Sequence, residues 1–281
     1  MKNFHLSIPT LLILCLFLSG CVTSSPGRSE KANEIARTNG FDETIVRAQP
    51  FAIAAYSRIR EPGKPVQIYI EGDGYAWVTR NRVSGDPTPR NPMLLSLAAE
   101  DPAPNVVYLA RPCQYTPDEF RSGCREFFWT EGRFAEPVIA SMDQAVGELM
   151  KKAQAASAHL IGYSGGAAVA ILVAARRQDI ASLRTIAGNL DPEVVNEYNG
   201  VSPLEGSLDP TAVAGKIAGL PQLHFLGGDD AIIPFAAAES FLKKMGDGRC
   251  FQTRTLPDAT HDHGWKEAWP GLLALPVACR E

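Results

Sequence analysis

Three stretches of this chain carry the side-chain types that turn an alcohol into a nucleophile, and they come in the order serine, aspartate, histidine. The first is Gly162-Tyr163-Ser164-Gly165-Gly166. The second, Gly227-Gly228-Asp229-Asp230-Ala231-Ile232-Ile233-Pro234, offers two adjacent acids, and the third, Asp258-Ala259-Thr260-His261-Asp262-His263-Gly264-Trp265, offers two imidazoles. A serine hydroxyl is a poor nucleophile at neutral pH, so an imidazole within hydrogen-bond reach must take its proton and later hand it to the leaving group. A carboxylate on the other ring nitrogen fixes the tautomer and stabilises the imidazolium. The residue types leave Asp229 and Asp230 both open as the acid, and His261 and His263 both open as the base. A fourth stretch, Glu71-Gly72-Asp73-Gly74-Tyr75, has glycines that free backbone N–H groups to face a ligand.

These residues need elements that hold them. Before Ser164 a short apolar run with Leu160 and Ile161 reads as a buried strand, and after it 167–175 is all Ala, Val, Ile and Leu, long enough for a helix. Segments 51–59, 66–71, 106–110, 159–163, 183–187, 223–226 and 251–256 are the strand candidates. Between them, 134–152 places Val138, Met142, Ala145, Val146 and Leu149 on one helical face, and 167–177 and 235–244 are two further helices. Strands separated by helices predict a mostly parallel sheet covered on both faces. No linker interrupts the alternation, so 41–281 reads as a single domain. In such sheets a site lies beyond the carboxyl ends of the strands, where all four stretches fall. His159 and His224 sit at strand starts or within strands and read as structural.

With Ser before Asp before His, and the serine at a strand-to-helix turn between glycines, the chain resembles the α/β-hydrolases over roughly residues 51–275. The resemblance implies an α/β-hydrolase fold, with Ser164 as nucleophile, Asp230 as acid and His261 as base. Asp230 stands where the family pattern puts the acid, and His261 precedes Trp265 by the four residues seen in similar sequences. It also implies oxyanion donors at the backbone of Gly165 and of Asp73 or Gly74. The expected reaction is hydrolysis of a carboxylic ester, or a thioester or amide, through an acyl-enzyme, with no cofactor and no metal. Histidines alternating on an extended segment, His261 and His263 beside Asp229 and Asp230, would also suit a metal; a metal hydrolase has no need of a serine at an elbow.

Residues 1–20 differ from the rest. Lys2 gives a positive start, 6–18 is mostly apolar, and Leu18-Ser19-Gly20-Cys21 closes the segment with small residues before a cysteine. The run is too short to span a bilayer comfortably and resembles a bacterial lipoprotein signal, which implies cleavage before an acylated Cys21 and export. Val22 in place of Asp implies sorting to the outer membrane, facing the periplasm or cell surface. The polar stretch 21–40, with Ser24, Ser25, Pro26, Gly27 and Ser29, suits a flexible tether, with a short helix expected over 31–37. In an oxidising compartment the even count of remaining mature cysteines predicts two disulfides, and local pairing gives Cys113 with Cys124 and Cys250 with Cys279, the latter two on the last strand and last helix.

At 281 residues and 45% hydrophobic the chain can bury a substantial core, and its formal net charge of −4 gives no reason to expect a nucleic-acid partner. Loss of Lys2 with the signal leaves −5 on the mature chain. Residues 77–92, with Arg80, Arg82, Asp86 and Arg90, read as a polar loop over the site. Phe127, Phe128 and Trp129 fit either an acyl pocket or core packing. The irregular stretch 188–221 is too short for a large lid, so an open site taking small or water-soluble esters is expected. The competing reading is a non-catalytic binding or scaffold lipoprotein on the same fold, since fold does not establish activity.

Overall fold

The computed structural model describes residues 25–281, so the expected signal 1–20 and Cys21 lie outside the described residues. The elements in chain order are α1 (Ser25–Thr38), β1 (Asp42–Ala48), β2 (Phe51–Ile59), β3 (Val66–Ile70), a small hairpin of β4 (Trp77–Thr79) and β5 (Arg82–Val83), α2 (Met93–Glu100) and β6 (Asn105–Leu109). They continue with α3 (Glu136–Lys152), β7 (Ala158–Tyr163), α4 (Gly165–Ala174), β8 (Ile180–Ile186), α5 (Pro192–Asn199), β9 (Gln222–Gly227), α6 (Phe235–Met245), β10 (Phe251–Leu256) and α7 (Trp265–Leu273). The main sheet has eight strands in the order β1-β2-β6-β3-β7-β8-β9-β10. β2 pairs antiparallel with β1 and β6, and the six strands from β6 to β10 run parallel.

The interior strands are the apolar runs the sequence singles out, because a parallel strand with helices on both faces has no solvated side. All five residues of β6 are buried. Helices α3, α4 and α6 fill one face of the sheet, and α1, α2 and α7 the other, with Trp265 and Trp269 fully buried there. Every residue of α4 is buried, as befits a helix apolar all round, and it runs from the end of β7 into the centre of the molecule.

Two expectations need correction. The stretch 21–40 is not a loose tether over its described part: α1 extends from Ser25, and its Ala32 and Ala36, one turn apart, are buried against the α2 side of the core. Both disulfides form as paired, Cys113–Cys124 and Cys250–Cys279. Their elements differ from expectation, because Cys250 lies just before β10 and Cys279 beyond α7, in the C-terminal tail. That tail is also fixed by a hydrogen bond from Arg280 N to Arg249 O.

Candidate active site

Ser164 connects β7 to α4 at φ 51°, ψ −122°, a conformation that costs a side-chain-bearing residue about 1–3 kcal/mol and therefore needs support on both sides. The support is in the backbone. Ser164 N donates to Ile186 O at 3.0 Å, while Ser164 O accepts from Ala167 N at 3.0 Å and from Asn189 N at 2.9 Å. The flanking glycines are required by contact: a Cβ on Gly162 would lie 2.5 Å from Gly166 O, and one on Gly166 would lie 2.2 Å from Ile70 O. Strand, elbow and helix thus close on one another with no space for a methyl group.

The structure brings Ser164, His261 and Asp230 together. His261 Nε2 lies 3.0 Å from Ser164 Oγ, and His261 Nδ1 lies 3.0 Å from Asp230 Oδ2. The Asp230 side chain is 1% exposed and that of His261 15%. Asp230 Oδ1 accepts from the backbone N–H groups of Ile232, at 2.8 Å, and Ile233, at 2.9 Å. Burial pushes the Asp230 carboxyl up, but the hydrogen bond and charge of His261, with those two N–H groups, outweigh it and hold the pKa below the ordinary value. The acid is therefore ionised and aimed. Trp265 Nε1 donates to Thr260 O and His261 O, and Tyr163 OH donates to His261 O, so the histidine loop is pinned from two sides.

The two alternatives fall elsewhere. Asp229 is exposed and its N–H donates to Ala259 O. His263, 80% exposed, pairs with Asp262 at the surface. Among the described residues no group of three or more His, Cys, Asp or Glu could hold a metal ion. His159 meets Ser182, and the fully buried His224 meets Thr185 and stacks on Phe251, both as structural residues of the sheet.

Beside the serine, Gly165 is the first residue of α4 and its N–H has no intrahelical acceptor. In the loop after β3, Gly72 N donates to Glu71 Oε1 and Tyr75 N to Pro87 O. Among the described residues the N–H groups of Asp73 and Gly74 make no hydrogen bond to another backbone group.

The Asp73 side chain has a role the sequence reading missed. Its carboxylate accepts from Arg111 at 3.3 Å and from Arg133 at 2.7 Å, and it packs so tightly on Gly165 that a Cβ there would lie 2.1 Å from Oδ1. Burial works against its charge, and the two guanidinium groups more than offset that and keep its pKa low. Arg111 follows the end of β6 by two residues, a charge just beyond a strand's carboxyl end that is a readable signal; nothing in the sequence marks Arg133. Below the loop, buried Glu71 accepts from Tyr108 OH at 2.7 Å, and burial pushes its pKa up to about 7.

Above the site, residues 77–92 form the β4–β5 hairpin followed by a segment whose Pro87, Thr88 and Pro89 are buried. Arg80 donates to Asn199 O and Asn199 Nδ2 to Ile232 O, which joins the hairpin, α5 and the acid loop around the mouth. Phe128 and Trp129 belong to the core, and Phe127 is partly exposed.

Neither a family model nor a curated protein matches the sequence. Solved structures do match, at low identity. An esterase of Pyrococcus furiosus aligns with a TM-score of 0.60 at 12% identity over 84% of this chain and 91% of that one. Est1E from Butyrivibrio proteoclasticus aligns with a TM-score of 0.56 at 14% identity over 82% and 97%. An acylaminoacyl peptidase of Pyrococcus horikoshii aligns with a TM-score of 0.55 at 15% identity over 79% of this chain but only 38% of the peptidase. This chain thus spans well under half of that relative. The fold is that of the α/β-hydrolases.

Proposed function

We propose that this protein is a serine hydrolase that cleaves carboxylic esters, with thioesters and amides open to the same chemistry, and that it works outside the cytoplasm on a lipid anchor at Cys21. The observation that carries the reading is the unbroken chain from Ser164 Oγ through His261 to Asp230, with both links at 3.0 Å.

His261 takes the Ser164 proton as Oγ attacks the acyl carbon, and Asp230 stabilises the imidazolium without itself being protonated. The carbonyl oxygen gains negative charge, which the N–H groups of Gly165 and of Asp73 or Gly74 receive, each such donor contributing about 3 kcal/mol. Arg111 and Arg133 offset the Asp73 carboxylate, so the corner where the oxyanion forms is not left negative. His261 then protonates the leaving group, and water repeats the sequence on the acyl-enzyme.

The fold is shared with an esterase and an acylaminoacyl peptidase, and the segment between β8 and β9 holds only α5 and a 3-10 stretch at Pro210–Ile217, whose Ala214 and Ile217 are buried in the core on the α4 and α6 side, which favours an open mouth and compact acyl groups. Two disulfides suit export. The test is labelling with a fluorophosphonate: wild type is modified at Ser164 and Ser164→Ala is not. An unlabelled wild type would instead favour a binding lipoprotein. Turnover of long-chain triglycerides well above that of short acyl esters would contradict the open mouth.

A further inference from the structure

The start of α1 lies at the catalytic edge of the sheet. Arg28 Nη1 donates to Thr88 O at 2.6 Å and to Asp86 O at 3.3 Å, and its guanidinium lies 5.3 Å from the ring centre of Tyr75, in the loop that carries Asp73 and Gly74. Just past the other end of α1, Asn39 O accepts from Arg58, which pairs in register with Val106 near the amino end of β6. Helix α1 therefore runs from the carboxyl edge of the parallel strands to the amino edge, about 21 Å at helical rise. Only residues 22–24 separate Cys21 from it. Fully extended, the chain from Cys21 to Ser25 reaches about 14 Å at most. A lipid on Cys21 must therefore leave from the side on which Ser164 opens.

That same side carries the exposed apolar surface. The six exposed large apolar side chains among the described residues are Trp77, Phe127, Tyr198, Val201, Ile232 and Phe235. All lie in segments that follow the carboxyl ends of β3, β6, β8 and β9. Exposed Arg80, Arg82 and Arg90 stand in the loop with Trp77. Aromatic residues beside arginines suit the boundary between acyl chains and anionic headgroups. With a formal net charge of −4 the whole chain would not be drawn to an anionic leaflet, so such attraction has to come from this edge.

We propose that the catalytic edge is a membrane-contact surface, held by the Cys21 lipid against the bilayer, and that its mouth takes a compact ester carried by a molecule resident in that bilayer. The proposal rests on acylation of Cys21 and on the hydrolase reading of Ser164, and the experiment reads each separately.

Of the four tryptophans only Trp77 is exposed, so the difference in emission between wild type and Trp77→Phe isolates it. The full-length lipoprotein is inserted into phosphatidylethanolamine–phosphatidylglycerol vesicles, with and without a quencher on the upper acyl chain. Mass spectrometry of the N-terminal peptide reports acylation, and fluorophosphonate labelling of the same sample reports the nucleophile. An interfacial aromatic sits roughly 5–10 Å into the headgroup boundary, so the Trp77 signal should fall by about half with the lipid-borne quencher and lose its access to acrylamide. Acylated, labelled protein whose Trp77 stays open to acrylamide and untouched by the lipid-borne quencher overturns the proposal. So does a Cys21 without acyl chains, and so does Trp77 shielded without vesicles in a concentration-dependent way, which would assign the surface to a second copy.

Discussion

Ser164 is held in its unfavourable conformation by its neighbours, and the consequences fall on single residues. Ser164→Ala should lower kcat by about 10⁶-fold, as removal of a nucleophile does, and Asp230→Asn by about 10⁴-fold through the wrong imidazole tautomer; turnover of a short acyl ester checks both. Gly165→Ala should abolish fluorophosphonate labelling, because its methyl group would collide with Asp73 Oδ1. Ser164, Asp230 and His261, which the structure brings within hydrogen-bond reach of one another, were legible as candidates because the chemistry proposed for them belongs at strand ends. Between Asp229 and Asp230, and between His261 and His263, the residue types alone left the choice open and the family resemblance pointed to Asp230 and His261, the pair that lies with Ser164 in the structure; one residue of register along a loop turns a side chain from the pocket to the solvent. The Asp73 clamp was not legible, because Arg111 and Arg133 reach it from segments far apart in sequence. Glu71 gives a pH prediction. Its folded pKa, about 7, lies above the ordinary value of 4.5, so its contribution is full below 4.5 and is lost as pH rises through 7. Glu71→Gln keeps an acceptor for Gly72 N and does not titrate. Relative to wild type, its urea unfolding free energy should rise between pH 4.5 and 7 by up to about 1.4 kcal/mol per pH unit; a flat difference would show that Glu71 titrates alike in the folded and the unfolded chain.

At the scale of elements, the loop after β10 is positioned by a helix that begins with the residue fixing it. Trp265 is both the first residue of α7 and the donor to His261 O. Trp265→Phe keeps most of the packing and removes the donor. It should cost about 1 kcal/mol in urea unfolding, the net worth of a hydrogen bond, while kcat falls by a larger factor than KM rises; equal loss in both would make the tryptophan a packing residue only. The buried strands were readable as apolar runs, and α3 as an amphipathic stripe. Strand β1 was not, since an edge strand of sequence Asp42 to Ala48 with mixed exposure has no strong period. Nor was α1 in full, where the polar serine-rich start hides a helix whose contact face is two alanines and an arginine.

For the whole molecule, the helices on the two faces leave the carboxyl edge of the parallel strands as the place where loops, exposed apolar side chains and the start of α1 meet. His224 adds a global acid limit: burial lowers its pKa to about 3, below the ordinary value of 6.5, so its contribution to stability is present above 6.5 and is lost as pH falls toward 3. Together with Glu71 this places the stability maximum of these two groups between about pH 4.5 and 6.5, checked by urea midpoints across pH. One covalent detail reaches beyond folding. The outermost strand, β10, has β9 on one side only, and a row of unpaired amides on an edge strand is a template on which another chain can grow. The Cys250–Cys279 bond moors the tail beside the start of that row, so a reducing environment would uncover a seam along which a second chain could pair.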